Sequence, residues 1–155
     1  MIGKFIQIVS ALGTFLAPMV QRPHGRQVAE LCTRQSEEGQ EFLLVTSRGK
    51  GRWIIPKGWP MKGKSFPETA LQEAWEEAGV REGHIKGQKL GHYTYQKEQK
   101  NGTKLPCMVD VYLIGVDELT NVFPESKQRK RRWVTKSEAI ALLSEPELKE
   151  IIRII

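Results

Sequence analysis

The sequence lacks the features by which several classes of protein are recognised. It contains no run of about 18 apolar residues, which argues against a membrane-spanning helix. It has only two cysteines, Cys32 and Cys107, and their separation matches no metal-binding spacing. Two isolated cysteines are typical of reduced thiols in a cytoplasmic protein, and we expect that location. A disulfide between them is the alternative.

Aromatic residues are also scarce, at 8% of the chain, and they do not alternate with basic residues in a nucleic-acid-binding stripe. The charge, by contrast, is one-sided: there are 24 lysines and arginines against 18 acidic residues, which gives a net charge of +6. Such an excess favours an anionic partner. Because no nucleic-acid-binding motif is present, the sequence argues against nucleic acid and indicates a small, phosphate-rich molecule.

Length and composition predict one globular domain with an N-terminal extension. The hydrophobic share of 39% and the charged share of 27% are those of a folded protein. Residues 1–22 are largely apolar, with a single early lysine, Lys4. A secretory signal is one interpretation, but the single lysine and the lack of a clear cleavage site disfavour it. We predict an N-terminal arm over 1–25, which packs on its own domain or on a partner subunit in an oligomer, and a globular domain over 26–155.

Hydrophobic patterning predicts an α+β domain in which strands, a helix, further strands and two final helices follow one another. The Asn101-Gly102 pair is a strong signal for a hairpin turn between two strands. Pro146 separates the last two helices. The expected strands are 27–34, 41–48, 53–55, 88–96, 104–116 and 129–134, and the final helices are expected over 136–143 and 145–155.

The most informative stretch is an acidic segment between Gly58 and Val80. Glu73, Glu76 and Glu77 are spaced so that a helix places them within an arc of about 100°. Three like charges at this spacing repel one another, and a divalent cation that prefers carboxylate oxygen relieves the repulsion. The other side of the helix is predicted to pack on a core through Ala70, Leu71, Ala74, Trp75 and Ala78.

The limits of this acidic helix can be predicted from its flanking residues. Ser65 and Glu68 have the spacing of a capping box, and Pro67 stands in the first turn, where its missing N–H is tolerated. Gly79 suits the left-handed residue that follows a helix C-terminus. A strand near 52–56, an irregular glycine-containing loop and the acidic helix therefore form one unit.

This unit resembles the Nudix box, whose pattern is G-x5-E-x7-R-E-U-x-E-E-x-G-U, where U is a bulky apolar residue. The resemblance implies an α/β/α sandwich with a mixed sheet. Two positions depart from the pattern: Lys64 stands where the family has glutamate, and Gln72 where it has arginine. Because those two residues usually brace the loop against the helix, we expect a different brace here. The matching positions are Gly58, Glu73, Ala74, Glu76, Glu77, Gly79 and Val80.

The resemblance also implies a metal-dependent hydrolase. In this family the positions of Glu73, Glu76 and Glu77 bind divalent ions, and the carbonyl oxygen of Gly58 often adds a ligand. We therefore expect Mg²⁺, with Mn²⁺ as an alternative, and assign the three glutamates as both catalytic and metal-binding. Metal ions polarise the phosphoryl group and lower the pKa of bound water. Glu73 and Glu125 are the candidates for the base that activates water.

Basic residues concentrate just before the acidic helix, at the expected mouth of the site. A second basic cluster lies on the strand predicted over 129–134, where alternation puts Lys127, Arg129 and Arg131 on one face. One such face is able to contact an anionic substrate while the other is solvated. The residues that we predict to bind the substrate are Arg48, Arg52, Lys57, Lys62, Lys64 and Arg131.

Residues 52–59 resemble the branch of the Nudix family that acts on diphosphoinositol polyphosphates and diadenosine polyphosphates. The predicted function is hydrolysis of a phosphoanhydride bond in a small polyphosphate of one of these two types. An RNA 5′-pyrophosphohydrolase, which performs the same chemistry on a larger substrate, is an alternative. A Nudix-fold binding module without catalysis is another, and the departures at Lys64 and Gln72 keep it open.

Overall fold

The computed structural model describes residues 25–155, and within this range eight strands form one mixed sheet with three helices packed on its faces. The predicted N-terminal arm lies outside the described residues except for Gly25, so its packing and its part in an oligomer stay predictions. The strands are β1 (Gly25–Ser36), β2 (Gly39–Thr46), β3 (Trp53–Ile54), β4 (Lys57–Gly58), β5 (Val80–Ile85), β6 (Gly91–Glu98), β7 (Lys104–Leu119) and β8 (Arg131–Thr135), and the helices are α1 (Phe66–Ala78), α2 (Lys136–Leu142) and α3 (Pro146–Arg153).

Two long strands, β1 and β7, form the centre of the sheet as a parallel pair. On the side of β1 away from β7, two strands pair with it: β4 lies opposite Val28 and Ala29, and β2 lies opposite 33–36. The free edge of β7 is likewise shared by β6 and β5. Strand β2 then continues the sheet to β3 and β8. Because β4 joins β1 directly, the loop that precedes α1 is anchored to the middle of the sheet.

Each face of the sheet has its own hydrophobic core. Along β1, Val28 and Cys32 pack with α1, whereas Ala29 and Leu31 pack with α2 and α3, as the two-residue period of a strand requires. The helices therefore form one layer on each side of the sheet. This arrangement confirms the predicted α+β class and the α/β/α sandwich.

Most predicted elements are present, with small differences in their limits. The hairpin turn between β6 and β7 is confirmed, and Gly102 takes the left-handed conformation with φ +85°. Hydrophobic patterning predicts no strand at β4 or β5. The first has only two residues, and the second is a largely exposed edge strand whose polar side chains carry little hydrophobic pattern. The prediction that 129–130 belong to a strand is wrong, because β8 begins at Arg131.

The orientation of α1 differs from the prediction at Trp75. The fully buried positions that face the core are Ala70, Ala74 and Ala78, spaced four apart, whereas Trp75 is only half-buried and lines a surface groove. Small side chains allow the helix to approach the sheet closely, and Trp75 is turned about 100° away from Ala74. Its predicted place in the core was therefore wrong.

Two expectations drawn from composition can be compared with the fold. Cys32 and Cys107 are both buried free thiols, so the alternative of a disulfide between them is wrong. Among residues 25–155, no helix has the length and apolar character needed to cross a membrane.

Candidate active site

Both ends of α1 are held by hydrogen bonds, and this rigidity positions its carboxylates. At the N-terminus, the Ser65 hydroxyl accepts from the Glu68 N–H at 3.2 Å, and the Glu68 carboxylate accepts from the Ser65 N–H at 3.4 Å. This confirms the predicted capping box. At the C-terminus, Gly79 has φ +71° and ends the helix in the left-handed conformation, as predicted.

The carboxylate of Glu73 lies directly against the backbone of Gly58. A Cβ atom at Gly58 would be 2.0 Å from Glu73 Oε1, so no side chain fits between the strand β4 and this glutamate. The two residues are 15 positions apart, and they meet because β4 is paired with β1 while α1 packs over the same part of the sheet. Gly58 is therefore required by the close approach of Glu73.

Glu77 and Glu76 have other partners. One oxygen of the Glu77 carboxylate accepts from the Lys57 N–H at 3.1 Å, and the other accepts from the Arg129 guanidinium at 3.0 Å. The Glu76 carboxylate accepts from the side-chain amide of Gln72 at 3.1 Å. Glu73 has no such partner among the described residues. Of the three glutamates, Glu73 is thus the one whose oxygens are free of protein hydrogen bonds within 25–155.

The electrostatics of this group favour a bound cation. Burial, together with the neighbouring charges of Glu77 and Glu76, raises the pKa of Glu73 to about 7. Burial also raises the pKa of Glu77, although the Arg129 guanidinium opposes that change. Negative charge is therefore in excess at the point where α1 meets β4, and a hard divalent cation is the group that carboxylate oxygens at such a point prefer.

The three glutamates have the oxygen ligands that a divalent cation prefers, but their side chains would have to move to bind one ion together. Within residues 25–155, no three histidine, cysteine or acidic side chains have their donor atoms already arranged to hold a metal ion. In their present positions, the Glu77 carboxylate accepts from Arg129 and the Lys57 N–H, and the Glu76 carboxylate accepts from Gln72. The Glu73 carboxylate, which accepts no hydrogen bond from the other described residues, lies against the Gly58 backbone.

A cleft of about 760 Å³ opens over these carboxylates. Its walls come from the turn after β2, from β4, from the face of α1 and from the β6–β7 hairpin. Seven basic side chains surround the glutamates, and one of them, Lys50, also forms an ion pair with Glu98 at 3.1 Å. The basic residues that line the cleft are Arg48, Lys50, Arg52, Lys57, Lys97, Lys104 and Arg129.

Of the residues predicted to bind substrate, only some lie in this cleft. Arg48, Arg52 and Lys57 line it, as do Glu73, Glu76, Glu77, Gly58 and Glu125. Lys62 is exposed on the loop outside it, and Lys64 lines the separate groove beside Trp75.

The structure places Arg131 behind α1 instead of in the cleft. Its guanidinium donates to the carbonyl oxygens of Ala78, at 2.7 Å, and Thr120, at 2.8 Å, and also to the side chain of Asn121. The contact with Ala78 satisfies one of the carbonyl groups that the end of a helix leaves without a partner. The prediction that Arg131 contacts the substrate is thus corrected: it ties the C-terminus of α1 to the segment after β7.

Several cleft residues were not predicted from the sequence. Lys97 and Lys104 come from the β6–β7 hairpin, which is far from the acidic helix in the chain. Trp59 and Tyr95 provide aromatic surfaces, each with a lysine nearby: Lys97 lies 5.6 Å from the Trp59 ring centre and Lys57 lies 4.9 Å from that of Tyr95. The available signal was the alternation on β6, which puts Tyr95 and Lys97 on one side of the strand.

With this geometry established, the chain can be compared with known proteins. Residues 25–153 match the family model described as the NUDIX domain. The chain belongs to the Nudix family. It is 32% identical over 120 residues to diphosphoinositol polyphosphate phosphohydrolase 3-beta of Bos taurus, a match that covers 76% of this chain and 68% of that protein. It is also 32% identical over 157 residues to Nudix hydrolase 21, chloroplastic, of Arabidopsis thaliana, covering 96% of this chain and 75% of the relative.

Solved structures agree on the fold. The structure of a C. elegans Ap4A hydrolase binary complex matches with a TM-score of 0.65 and 23% identity, and covers 83% of this chain and 93% of that one. The NUDIX domain of Shewanella oneidensis NrtR, complexed with ADP ribose, matches with a TM-score of 0.61 and 15% identity, covering 91% and 96%. The family and fold predictions are confirmed, and so is the prediction of a Nudix-type hydrolase.

Neither of the two residues that depart from the Nudix box, Lys64 and Gln72, joins the loop to the helix. Gln72 donates to Glu76, and Lys64 is exposed. The loop of this Nudix domain instead contacts the helix through the Met61 N–H, which donates to the Thr69 hydroxyl at 3.4 Å, and through the Lys57 N–H bonded to Glu77. The loop and helix are therefore joined by backbone donors.

Replacing Gly58 with alanine should displace the Glu73 carboxylate with little loss of stability. The added Cβ would lie 2.0 Å from a flexible side-chain terminus, which can rotate away. We expect Mn²⁺ affinity to fall roughly tenfold, as when a ligand loses its supporting contact, with a nearly unchanged melting temperature. Electron paramagnetic resonance and thermal unfolding measure the two quantities. Gly49→Ala is the control, because nothing lies within 4 Å of that position. Equal Mn²⁺ affinity in both variants would contradict this role of Gly58.

The raised pKa of Glu73 should make the metal-free protein sensitive to pH. The folded state holds this proton up to about pH 7, whereas the carboxyl's ordinary pKa is 4.5. Between those values the folded state binds more protons than the unfolded state, so this carboxyl lowers stability as the pH rises. Glu73→Gln should reduce the fall in melting temperature between pH 5 and pH 8 with chelator present. Glu37→Gln, at an exposed turn, should keep the wild-type fall. Identical pH profiles for wild type and Glu73→Gln would refute the assignment.

Proposed function

We propose that this chain is a divalent-metal-dependent hydrolase that cleaves a phosphoanhydride bond in a small polyphosphate. The observation that supports this is the composition of one cleft: the three glutamates of the Nudix box lie at its base, and seven basic side chains surround them. Carboxylates suit a hard cation, and lysine and arginine suit phosphate oxygens. Part of the chain's excess positive charge is therefore concentrated in this cleft.

Glu73, Glu76 and Glu77, with the carbonyl oxygen of Gly58, are the residues that would hold the cation, which we propose to be Mg²⁺ or Mn²⁺. When bound, such an ion stabilises charge on phosphoryl oxygens and lowers the pKa of a bound water. The protein's own contribution is to keep these oxygens on a capped helix against the backbone of β4.

Glu73 is the better of the two candidates for the base. Its carboxylate lines the cleft and accepts no hydrogen bond from the other residues of 25–155, so it is free to contact a water there. Glu125 also lines the cleft, but the Arg129 guanidinium lies 3.1 Å from its carboxylate and the Arg48 guanidinium lies 3.6 Å away. The Glu125 carboxylate is therefore already held in ion pairs, whereas that of Glu73 is not.

The basic residues are proposed to bind and orient the phosphate chain. Arg52 and Lys57 line the cleft from the segment before α1, and Lys97 and Lys104 line it from the β6–β7 hairpin. A linear or clustered polyphosphate would therefore contact basic side chains of both segments. Both cysteines are free thiols, which is consistent with the cytoplasmic location that we propose.

The substrate class is proposed from the relatives and from one aromatic residue. Relatives named as diphosphoinositol polyphosphate phosphohydrolases and a structural neighbour named as an Ap4A hydrolase indicate the two types already expected. Trp59 lines the cleft and its side chain is 50% exposed, although it is a large hydrophobic residue. A nucleobase can stack on such a ring. This favours a dinucleoside polyphosphate over a diphosphoinositol polyphosphate.

A substrate screen tests this function. The purified protein with Mg²⁺ should release phosphate-containing products from diadenosine polyphosphates more efficiently than from diphosphoinositol polyphosphates, and Glu77→Gln should abolish the activity while the protein stays folded. Turnover only of 5′-triphosphorylated RNA, increasing with RNA length, would favour the RNA pyrophosphohydrolase instead. Binding of these ligands without turnover would indicate the inactive binding module.

The basic residues of the hairpin should contribute to substrate binding, and the exposed loop lysine should not. Removing Lys97 and Lys104 together should raise KM for the preferred polyphosphate by roughly tenfold, since charge-assisted contacts to phosphate are stronger than exposed ion pairs. Lys62→Ala is the matched control, because Lys62 lies outside the cleft. Steady-state kinetics compare the variants. The cleft would not be the substrate site if Lys62→Ala raised KM more than the double change did.

A further inference from the structure

A fourth glutamate lies beneath the Nudix box. Glu30 is in the middle of β1, between Val28 and Cys32, on the face of the sheet that packs against α1. Its side chain is completely buried, and neither of its carboxylate oxygens has a hydrogen-bond partner within residues 25–155. Buried carboxylates are normally paired or bound to a metal, so this one calls for an explanation.

The protein satisfies its other fully buried acid in the usual way. Asp110 on β7 lies opposite Val28 of β1 and has no exposed surface. Its carboxylate accepts from the Arg26 guanidinium at 2.6 and 3.0 Å, and Lys89 lies 3.4 Å from its second oxygen. Glu30 has no equivalent cation in hydrogen-bond contact. The difference between these two acids shows that the unpaired state of Glu30 is particular to its position.

The position of Glu30 is joined to the candidate metal site by the backbone. The Glu30 N–H donates to the carbonyl of Pro56 at 3.1 Å, and the next residue, Lys57, donates its N–H to the Glu77 carboxylate at 3.1 Å. Burial raises the pKa of Glu30 well above its ordinary value. The nearby charges of Glu77 and Glu73 raise this pKa further, and that of Lys57 lowers it. The Glu30 carboxylate is therefore directed into the same negatively charged region as the two box glutamates.

We propose that Glu30 is a further carboxylate ligand of the divalent cation held by the Nudix box, a proposal that rests on the proposed function. Glu76 and Glu77 already accept hydrogen bonds from protein donors, whereas Glu30 accepts none within residues 25–155. A cation here would also balance the charge that Lys57 and Arg129 leave uncompensated. Glu30 thus supplies a ligand from the sheet, whereas Glu73, Glu76 and Glu77 supply theirs from the helix.

Metal binding measured without turnover tests this proposal. Mn²⁺ affinity is followed by electron paramagnetic resonance, and the Mg²⁺-dependent rise in melting temperature is measured in parallel. Glu30→Gln should weaken Mn²⁺ binding by roughly tenfold or more and reduce the Mg²⁺-dependent rise. Its metal-free melting temperature should stay close to that of wild type, because the amide has nearly the same size and the carboxyl it replaces has no hydrogen-bond partner to lose.

Two further variants make the result decisive. Glu30→Leu removes the oxygens altogether and should weaken Mn²⁺ binding at least as much, which covers the case that Glu30→Gln does not fold. Asp110→Asn is the matched control: it alters an equally buried but ion-paired carboxylate, and should lower the metal-free melting temperature while leaving Mn²⁺ affinity unchanged.

The outcomes separate this proposal from the proposed function. Unchanged Mn²⁺ affinity in Glu30→Gln and Glu30→Leu, with affinity lost in Glu77→Gln, would overturn the role of Glu30 and leave the metal-dependent hydrolase standing. A wild-type protein that binds no Mn²⁺ and hydrolyses no phosphoanhydride would overturn both. Loss of affinity in both Glu30 variants but not in Asp110→Asn would support Glu30 as a ligand.

Discussion

The contact between Glu73 and Gly58 is the constraint on which the candidate site depends. Helix α1 packs on the sheet through Ala70, Ala74 and Ala78, and these small side chains let it lie close to the strands. At that distance the Glu73 carboxylate reaches the backbone of β4, where only a glycine leaves space for it. A larger side chain at any of these positions would move the carboxylates away from the loop.

This packing concentrates negative charge where solvent has little access. The pKa of Glu73 is raised to about 7, and among the three glutamates of the Nudix box only Glu77 accepts from Arg129 and the Lys57 N–H. Cations from the loop after β2 and from the β6–β7 hairpin surround this acidic base of the cleft. This arrangement suits a polyphosphate that binds together with a divalent cation. The cation would be attracted by the glutamates, and the phosphates by the lysines and arginines.

Much of the Nudix unit was predictable because its signals are local. The capping box at Ser65, the left-handed Gly79 and the Asn101-Gly102 turn each depend on a few adjacent residues, and all three are confirmed. The predictions for Trp75 and Arg131 failed because periodicity gives only the relative directions of side chains. The side of α1 that faces the core is set by its small alanines, and Arg131 is held by the carbonyl oxygens of Ala78 and Thr120.

The sequence by itself determined the family, the α+β class and the glutamates that line one side of a helix, because these follow from spacing along the chain. Only the tertiary structure decided which basic side chains lie beside these glutamates in the cleft. Lys97 and Lys104 line the cleft because the β6–β7 hairpin places them there. Arg131 instead donates to the Ala78 carbonyl at the end of α1. Glu30 shows the same limit: strand alternation places it on one face, but its burial beneath the Nudix box arises from the pairing of β1 with β4 and the packing of α1 across them.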